Sequence, residues 1–449
     1  MNDSFNAKDF LEDYNLLLSR ASLEKKDNFS SLASPTLNKQ ETVTFLYLKV
    51  QKYLKTKIKN EEKKILFREY LTFYSRLIYV FINLIRISLQ FRVKKLPKNC
   101  IFLRTWLVPK SFSNHRLGDD YFREMIDDLD SSENLIVGFM PNGFNTLKKL
   151  KKVSKSKNYI ITPGLLSVKE IFTLIFDYFT NGHIQLDNQY YFKKEDVSFL
   201  INKSLTDDYL YLRSFPAFLE KYIANKIKKY DPKVIVYIYE NQAWERSLIK
   251  VFNSTNTKII GYQSSGFSTR FLNFFPTFLD KENGYFPDKI LTVGDIYTEK
   301  LKELGDYITP IETFAALRFN YKCDRHGKYL IQKQLSHIKK SIIYAFPVLI
   351  YQYQTILNDL VHVFGNSEIK VDLKFHPLFL GDNLNKITQN LPSNFFIVDH
   401  VEMENLNKVY DAVLFNDNSF GIESLINGVP SFEYNLDEGI DDSRLFNFN

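Results

Sequence analysis

The sequence predicts an α/β protein with two doubly wound domains facing a cleft and a helical N-terminal extension. Three observations predict this class. From residue 100 onward, short apolar runs alternate with amphipathic stretches, which is typical of repeated β–α units. The apolar runs of the second half are rich in Ile and Val, as in parallel strands that are buried on both faces. The chain has 449 residues, enough for about two to three domains.

The helical extension is predicted at residues 1–98. Its clearest element is a helix within "LFREYLTFYSRLIYVFINLIRISLQFRVKK", residues 66–95, which Pro97 ends. Its longest charge-free stretch is far shorter than the ~20 residues of a membrane span, so we expect it not to span. We expect it to pack on the body of the protein or to lie on an anionic membrane surface. Its polar residues recur at helical spacing and predict one narrow stripe beside a wide apolar face: Arg68, Thr72, Ser75, Arg76, Asn83, Arg86 and Gln90.

Two Rossmann-like domains are predicted at residues 99–285 and 286–449. Each is recognised by its apolar runs, which alternate with helix signals such as the capping box of "SVKE" and the helix stop at Gly428. Strands of the first domain are predicted at residues 100–106, 134–140, 158–162, 233–239 and 258–263. Strands of the second domain are predicted at residues 289–294, 341–347, 369–375, 394–399, 411–416 and 430–434.

The composition excludes several classes of protein. Two cysteines exclude a disulfide scaffold and a Cys-built zinc site, and they fit a reducing cytoplasm. The net charge of +7 comes without an Arg-rich arm or interleaved aromatic motif, so no nucleic-acid partner is predicted. The N-terminal residues are polar and acidic rather than signal-like. We therefore expect a cytoplasmic protein, with peripheral contact to the inner face of the cytoplasmic membrane as the alternative.

Polar residues follow two strands of the second domain. Lys374 and His376 end "KVDLKFHP", and "LFNDNSFGIESLINGVP" places Asn418 and Ser419 between a strand and a helix. The start of such a helix can bind phosphate, and an imidazole beside it can assist the departure of a nucleotide. Glu423, in the first turns of the helix, can accept hydrogen bonds from ribose hydroxyls. The alternative is that these residues only cap the helix and complement its dipole.

Three short motifs follow one another in the second half of the chain. A strand ends in His-Pro, a helix of small residues begins with Ser-x-x-x-Glu, and Gly-x-Pro follows that helix. The pattern resembles the C-terminal nucleotide-sugar domain of GT-B glycosyltransferases, in particular the Kdo and sialic-acid (nonulosonate) transferases of bacterial capsule and lipopolysaccharide biosynthesis. The resemblance covers roughly residues 230–440. It implies that His376, and Ser419 with Asn418, bind the phosphate of a CMP-sugar, and that Glu423 contacts ribose or base. No cofactor is implied beyond this substrate.

In the first domain, Glu240, Asn241 and Gln242 follow the predicted strand 233–239, and a helix starts after them. "ENQAWE" resembles an E-[GN]-Q-P-W-E run of bacterial surface-carbohydrate proteins. We predict Glu240 as the catalytic carboxylate, either a general base or a nucleophile, with Asn241 and Gln242 facing the acceptor. The alternative is that Glu240 caps the helix or pairs with Arg246. Glu245 is predicted as a residue of the helix face.

Two further strand ends are candidates for substrate contacts. Gln263, Ser264 and Ser265 precede a glycine, and such a polar turn suits close approach of a sugar or phosphate, or is an ordinary turn. Arg104 lies near the end of the first strand. It can hold the carboxylate of a Kdo or sialate donor, or of an acidic acceptor, by a bidentate pair, or it can form an internal salt bridge.

No metal site is predicted. His115, Asp119 and Asp120 are close in sequence, but they fall in a loop, and no DxD-type motif stands at a strand end. The resemblance also implies an anionic CMP leaving group that GT-B enzymes stabilise without metal.

The function predicted from the sequence is a glycosyltransferase of surface-polysaccharide assembly. It transfers Kdo or a nonulosonic acid from a CMP-activated donor to an oligosaccharide or lipid-linked acceptor. Three alternatives stay open: a hexose transferase that uses UDP or GDP donors, a sugar-nucleotide epimerase, and a non-catalytic partner in polysaccharide assembly.

Overall fold

The chain forms two compact units. The computed structural model describes residues 7–25, 28–39, 41–56, 67–108, 111–113, 116–123, 125–126, 129, 134–142, 158–317, 340–347, 350–376 and 387–434. Unit 1 comprises Met1–Ser264 and Phe271–Arg318, and unit 2 comprises Ser265–Arg270 and Phe319–Asn449.

The N-terminal extension is helical, as predicted, and belongs to unit 1. Its helices are α1 (Ala7–Glu24), α2 (Phe29–Ala33), α3 (Glu41–Thr56) and α4 (Phe67–Gln90). The polar segment that follows α2 is a buried turn. Thr36 donates its backbone N–H and its hydroxyl to Asp208, and the Lys39 ammonium pairs with Asp280. Burial of these polar groups is stable because each has a partner.

The polar stripe predicted along α4 is exposed or half-exposed at every position except Asn83. Asn83 is buried and donates to the backbone oxygen of Tyr79 at 2.8 Å, whereas Ile78 and Ile82 face solvent. The helix buries Phe73, Leu77, Leu84 and Ile87 within unit 1, and most of its other described apolar side chains are exposed. The spacing of polar and apolar residues predicted an amphipathic helix correctly. The apolar face of this helix is wider than the surface against which it packs.

A seven-stranded parallel sheet forms the centre of unit 1, with the order β11-β10-β9-β8-β1-β4-β5. Its strands are β1 (Ile101–Leu107), β4 (Leu135–Pro141), β5 (Tyr159–Ile161), β8 (Val234–Ile238), β9 (Lys258–Gln263), β10 (Lys289–Thr292) and β11 (Ile311–Thr313). Two short antiparallel hairpins pair β2 (Phe112–Ser113) with β3 (Arg116–Leu117) and β6 (Tyr191–Phe192) with β7 (Glu195–Asp196). The central strands are buried apolar runs, which is why they read as continuous hydrophobic segments in the sequence.

Helices connect these strands and cover the sheet. They are α5 (Val168–Asn181), α6 (Ser198–Leu210), α7 (Phe215–Lys228), α8 (Ala243–Phe252), α9 (Phe278–Glu282) and α10 (Asp295–Leu304). The predicted capping box is present at the start of α5, where Ser167 and Glu170 exchange hydrogen bonds.

The predicted boundary between the domains at residue 285 differs from the structure. β10 was expected to open the second domain, but Lys289 pairs with Ile260 of β9, and β11 pairs with β10 in turn. Both strands therefore complete the first sheet, and unit 1 continues to Arg318. The proline turn at Pro287 only separates two neighbouring strands. β11 has three residues, too few for its apolar pattern to stand out in the sequence.

Unit 2 contains a five-stranded parallel sheet with the order β14-β13-β12-β15-β16. Its strands are β12 (Ser341–Ala345), β13 (Lys370–Lys374), β14 (Phe395–Ile397), β15 (Ala412–Phe415) and β16 (Ser431–Glu433). Its described α-helices are α11 (Tyr353–Phe364), α12 (Leu406–Val409) and α13 (Ser419–Ile426). Gly428, at φ +77°, follows α13 as the predicted stop. The predicted fold class is confirmed as α/β: two compact units, each built on a parallel, doubly wound sheet, follow a helical extension.

Candidate active site

The carboxyl ends of three strands of unit 2 meet at one point. β12 lies between β13 and β15, so the chain adds strands first on one side of β12 and then on the other. Open parallel sheets bind their ligands at such a switch point, outside the carboxyl ends of the strands. Lys374, His376, Asn418 and Ser419 all follow these strand ends, so the structure brings the predicted donor residues of unit 2 together.

Asn418 fixes the geometry of this edge. Its amide nitrogen donates to the backbone oxygens of Ala345 at 2.8 Å and Asn416 at 3.0 Å, and its amide oxygen accepts from the N–H of Phe420 at 3.0 Å. The side chain therefore caps α13 and ties it to the end of β12. Asn418 positions the helix, while the outward N–H groups of the first turn are left to face a ligand.

The end of β13 is held in a similar way by Tyr353. Its hydroxyl donates to the backbone oxygen of Pro347 at 2.9 Å and accepts from the backbone N–H of His376. Burial raises the pKa of this hydroxyl to about 12, so it remains a donor. The rings of Phe346 and Phe375 stack at 4.5 Å within the same apolar cluster. His376 is thus held on a rigid base, partly exposed at the edge.

Positive charge converges at the start of α13. The Lys374 ammonium lies 5.4 Å from the ring centroid of Phe420, in the first turn of the helix. The helix start itself carries positive partial charge from its unsatisfied N–H groups. Ser419 donates to a carboxylate oxygen of Glu423 at 3.1 Å, so both predicted ligand residues lie on this turn. An ammonium beside a helix N-terminus favours a bound anion.

Arg270 is a residue that the sequence did not single out. The segment Ser265–Arg270 belongs to unit 2, and the buried guanidinium lies 3.8 Å from a carboxylate oxygen of Asp417. Asp417 has φ +41° and immediately precedes Asn418. A buried cation therefore supports the turn that starts α13. The only signal in the sequence was an arginine in a polar loop, which is too common to predict such a role.

Gly421 allows α13 to lie close to the sheet. A Cβ atom at this position would come within 2.2 Å of the buried ring of Phe415. The small residue in the helix is therefore required by packing, and it sets the height of the first turn above the strand end.

The switch point of unit 1 lies between β1 and β8, and Glu240, Asn241 and Gln242 follow β8 there. The loop is organised by Glu245, whose buried carboxylate accepts the backbone N–H groups of all three residues at 3.0 Å. Asn241 has φ +52°, which turns these groups toward one point. Burial raises the pKa of Glu245, and its hydrogen bonds to the backbone oppose that rise. Glu245 is therefore the structural core of the loop rather than a residue of the helix face.

A chain of side-chain hydrogen bonds orients Glu240. The indole N–H of Trp244 donates to the amide oxygen of Gln242 at 2.8 Å, and the amide nitrogen of Gln242 donates to the Glu240 carboxylate. Trp244 fixes the orientation of the amide, because an indole can only donate. The carboxylate of Glu240 is partly buried at the strand end, while Arg246 is engaged elsewhere. Arg246, the alternative partner of Glu240, pairs with Asp280 at 3.0 Å, and Gln242 holds Glu240.

Arg104 forms the internal salt bridge that the sequence left open. Its guanidinium donates to Glu220 at 3.0 and 3.3 Å, and it lies 4.2 and 3.9 Å from the ring centroids of Trp106 and Trp244. Only 1% of the residue is exposed. Arg104 stabilises the packing of β1 against α7 and α8, and Glu220 occupies its guanidinium.

The end of β9 carries the remaining predicted residues. Gln263 is buried, and its side-chain oxygen accepts from the N–H of Val293 at 3.4 Å, a weak bond within unit 1. The hydroxyl of Ser264 is buried and has no hydrogen-bond partner among the described residues. Ser265 begins the segment that belongs to unit 2. An unpartnered buried hydroxyl makes Ser264 the member of this trio best suited to bind a ligand.

The acidic loop after β1 is also structural. Asp119 accepts the hydroxyl of Thr105 at 2.5 Å and the N–H of Tyr121 at 2.9 Å, and Asp120 pairs with Arg123. His115 lies outside the described residues. Within the described part of the chain, no group of three or more His, Cys, Asp or Glu side chains is arranged to hold a metal ion.

Asp119 predicts a pH dependence of stability. Burial raises the pKa of its carboxyl to about 6, against a smaller lowering by its hydrogen bonds. The folded protein then holds this proton more tightly than the unfolded chain, so the stability that Asp119 contributes falls as the pH rises from about 4 to about 6. Relative to Asp119→Asn, we expect the wild type to lose about 2–3 kcal/mol between pH 4 and pH 7. Denaturant unfolding of both proteins measures this, and parallel pH profiles would contradict it.

Neither a protein-family model nor a curated protein matches the chain. Solved structures of low identity are similar to it over most of its length. UDP-N-acetylglucosamine 2-epimerase from Rickettsia bellii is 10% identical, with 74% of this chain and 78% of that chain covered and a TM-score of 0.41. S. aureus MnaA, solved with UDP, has the same identity and coverage and a TM-score of 0.42. The glycosyltransferase SnogD from Streptomyces nogalater is 11% identical, with 75% and 80% covered and a TM-score of 0.32.

Proposed function

We propose that the protein is a glycosyltransferase that binds a nucleotide sugar at the switch point of unit 2. One observation carries the proposal: the Lys374 ammonium lies 5.4 Å from the ring centroid of Phe420, in the first turn of α13, at the carboxyl edge of the sheet. An ammonium and a helix N-terminus both favour a negatively charged ligand. A phosphate group supplies that charge and accepts hydrogen bonds from the outward N–H groups.

The residues around Lys374 suit the departure of a nucleotide. His376, held through its backbone by Tyr353, can donate to a phosphate oxygen as negative charge develops there. Ser419 presents a hydroxyl on the same turn, and Glu423 can exchange its bond to Ser419 for a ribose hydroxyl. Lysine, imidazole and the helix start can thus stabilise the leaving group with the chain's own groups.

Glu240 is the carboxylate that we propose for the chemistry at the sugar. It is held by Gln242 and stands at the switch point of unit 1. As a general base it would take the proton of an acceptor hydroxyl while the anomeric carbon is attacked with inversion. As a nucleophile it would form a glycosyl-enzyme and give retention. The oriented carboxylate serves either role.

The donor that we propose is a CMP-linked Kdo or nonulosonate, and the acceptor is an oligosaccharide or lipid-linked glycan. Support for cytosine as the nucleobase of the donor comes from the His-Pro and Ser-x-x-x-Glu pattern, which resembles that of the Kdo and sialic-acid transferases. The ulosonate carboxylate needs a cation, and Arg104 does not supply it, because Glu220 holds its guanidinium. The UDP- or GDP-hexose alternative therefore has a specific observation in its favour.

The experiment is a release assay with CMP-Kdo, CMP-sialic acid, UDP-GlcNAc and GDP-mannose, each with and without oligosaccharide acceptors. We expect one of the donors to release its nucleotide, at a rate that increases when an acceptor is added. Turnover of UDP-GlcNAc to its epimer without an acceptor would replace the transferase by an epimerase. The absence of turnover with all donors, together with the absence of nucleotide binding, would favour a non-catalytic assembly partner.

A further inference from the structure

Helices α4 and α5 form an antiparallel pair on the surface of unit 1. The hydroxyl of Ser88, near the end of α4, donates to the backbone oxygen of Leu166, just before α5. The rings of Phe81 and Phe172 lie 4.8 Å apart in the middle of the pair. Those of Tyr74 and Phe179 lie 6.3 Å apart toward its other end. The two helices therefore present one continuous outer surface.

This outer surface is apolar. Ile78, Ile82 and Phe172 are each 57% exposed, and Leu89 and Phe176 are each 67% exposed. We call the exposed apolar residues of the pair the α4–α5 face: Leu71, Tyr74, Ile78, Tyr79, Ile82, Leu89, Phe172, Phe176 and Phe179. Single exposed apolar side chains are ordinary, but a contiguous set on two neighbouring helices marks an interaction surface.

The spacing shows that the exposure follows from the sequence of both helices. Along α4, Leu71, Ile78, Ile82 and Leu89 recur at seven, four and seven residues, which aligns them on one side of the helix. Along α5, Phe172, Phe176 and Phe179 recur at four and three residues. The buried sides use other apolar positions, such as Leu84 and Ile171. Each helix therefore has an apolar stripe that no described part of the chain covers.

Basic residues lie at both ends of the pair. At one end, exposed Arg92, Lys94 and Lys95 follow α4, and exposed Lys169 is in the first turn of α5. The N–H of Val93 donates to the backbone oxygen of Gly164 at 3.0 Å, which places the two groups side by side.

At the other end, the half-exposed ring of Tyr211 lies 4.7 Å from Arg76 and 5.4 Å from Arg213. Of the acids on the two helices, Glu170 and Asp177 pair with lysines of α7 at 2.6 and 3.5 Å. Glu69 is in the first turn of α4. Arg213 also pairs with Asp208 at 3.6 Å, so the excess of positive charge lies at the end that carries Arg92, Lys94 and Lys95.

We propose that the α4–α5 face docks the protein on the surface of an anionic lipid bilayer. An apolar stripe with Phe and Tyr side chains and a basic end matches the acyl boundary and the charged headgroups of such a bilayer. The helix Arg68–Gln90 is also the one helix in the described part of the chain that is long and apolar enough to cross a membrane, and 33% of its 18-residue apolar stretch is buried in the protein. Its packing on unit 1 and the Arg76 side chain fit a helix that lies in the interface rather than across it.

The test is sedimentation of the full chain with vesicles of phosphatidylcholine alone and of phosphatidylcholine mixed with phosphatidylglycerol. We expect binding to the mixed vesicles that weakens with salt, because each exposed Lys or Arg of the basic end contributes on the order of fivefold. The variant Ile82→Ser/Phe176→Ser should bind about 100-fold more weakly, since two apolar anchors are lost. These residues are exposed, so folding should not change. Ile308→Ser/Phe278→Ser, with 53% and 48% exposed side chains elsewhere on unit 1, is the matched control.

Failure of the wild type to bind either kind of vesicle would overturn the proposal. Equal binding of the Ile82→Ser/Phe176→Ser variant and the control would also overturn it. A wild type that self-associates in light scattering through these residues, without binding vesicles, would assign the face to a second copy of the chain. The proposal does not depend on the chemistry of unit 2, because nucleotide binding is measured separately and should be the same in the variant.

Discussion

Asp280→Ala should lower the free energy of unfolding by about 3–5 kcal/mol, because it leaves two buried cations without their partner. The carboxylate of Asp280 accepts from Arg246 at 3.0 Å and from the Lys39 ammonium, and all three side chains are at least 94% buried. The ion triad joins the turn after α2 to α8 and α9, so its loss should loosen the N-terminal extension. Denaturant unfolding measures the change.

The matched control for this prediction is Glu312→Ala. Glu312 pairs with Lys289 at 2.9 Å through exposed side chains, and such a surface pair contributes less than about 1 kcal/mol. Equal losses in the two variants would show that the buried triad is no more stabilising than a surface pair.

The same triad predicts resistance to acid. Burial alone would raise the pKa of Asp280, but Lys39 and Arg246 outweigh it and lower the pKa well below its usual range. Because the folded pKa is the lower one, this stabilisation is complete above the pKa of the unfolded chain, about pH 4, and is lost only as the pH falls through the folded value.

Glu240→Gln should reduce sugar transfer by about 10²–10⁴-fold, because an amide cannot accept the proton of an acceptor hydroxyl or attack the anomeric carbon. The loop should keep its shape, since its backbone N–H groups are bound by Glu245 rather than by the Glu240 side chain. Initial rates with the donor that the release assay identifies measure the loss, and the thermal unfolding midpoint checks the fold.

Glu303→Gln is the control for the catalytic variant. Glu303 is an exposed carboxylate of α10 that pairs with Lys300 at 2.7 Å, and its change should leave the rate as it is. Full activity in Glu240→Gln would remove Glu240 from the chemistry. Recovery of the activity by added azide, with inversion of the product, would assign the role of nucleophile.

Local signals explain which parts of the molecule could be predicted. Except for β11, the strands of both sheets are short apolar runs that lie within a residue or two of the predicted ranges. Asn418 and Ser419 were located correctly because a cap residue, a helix and a stop at Gly428 follow each other within a few positions. The carboxyl edges of parallel strands then follow from the fold itself. The sequence could not show which sheet contains the strands that follow Pro287, because that depends on tertiary contacts.

The roles of the charged residues depended on contacts that are distant in sequence. Arg104 meets Glu220, which is 116 positions away, so no local pattern could predict their pair. Glu245 looked like a residue of the helix face because its function depends on the positive φ of Asn241, which gathers three N–H groups around it. Arg270 supports Asp417 only because its segment packs with unit 2.

The most direct test of the proposed donor site is calorimetric titration of the protein with CMP, UDP and GDP, repeated on Lys374→Ala. We predict that one nucleotide binds, and that loss of the ammonium weakens it by about 10–100-fold, the effect of one charge-assisted hydrogen bond. Lys408→Ala, which removes an exposed lysine of α12, should bind like the wild type. If no nucleotide binds, or if Lys374→Ala and Lys408→Ala bind it equally well, the edge of unit 2 is not a phosphate site.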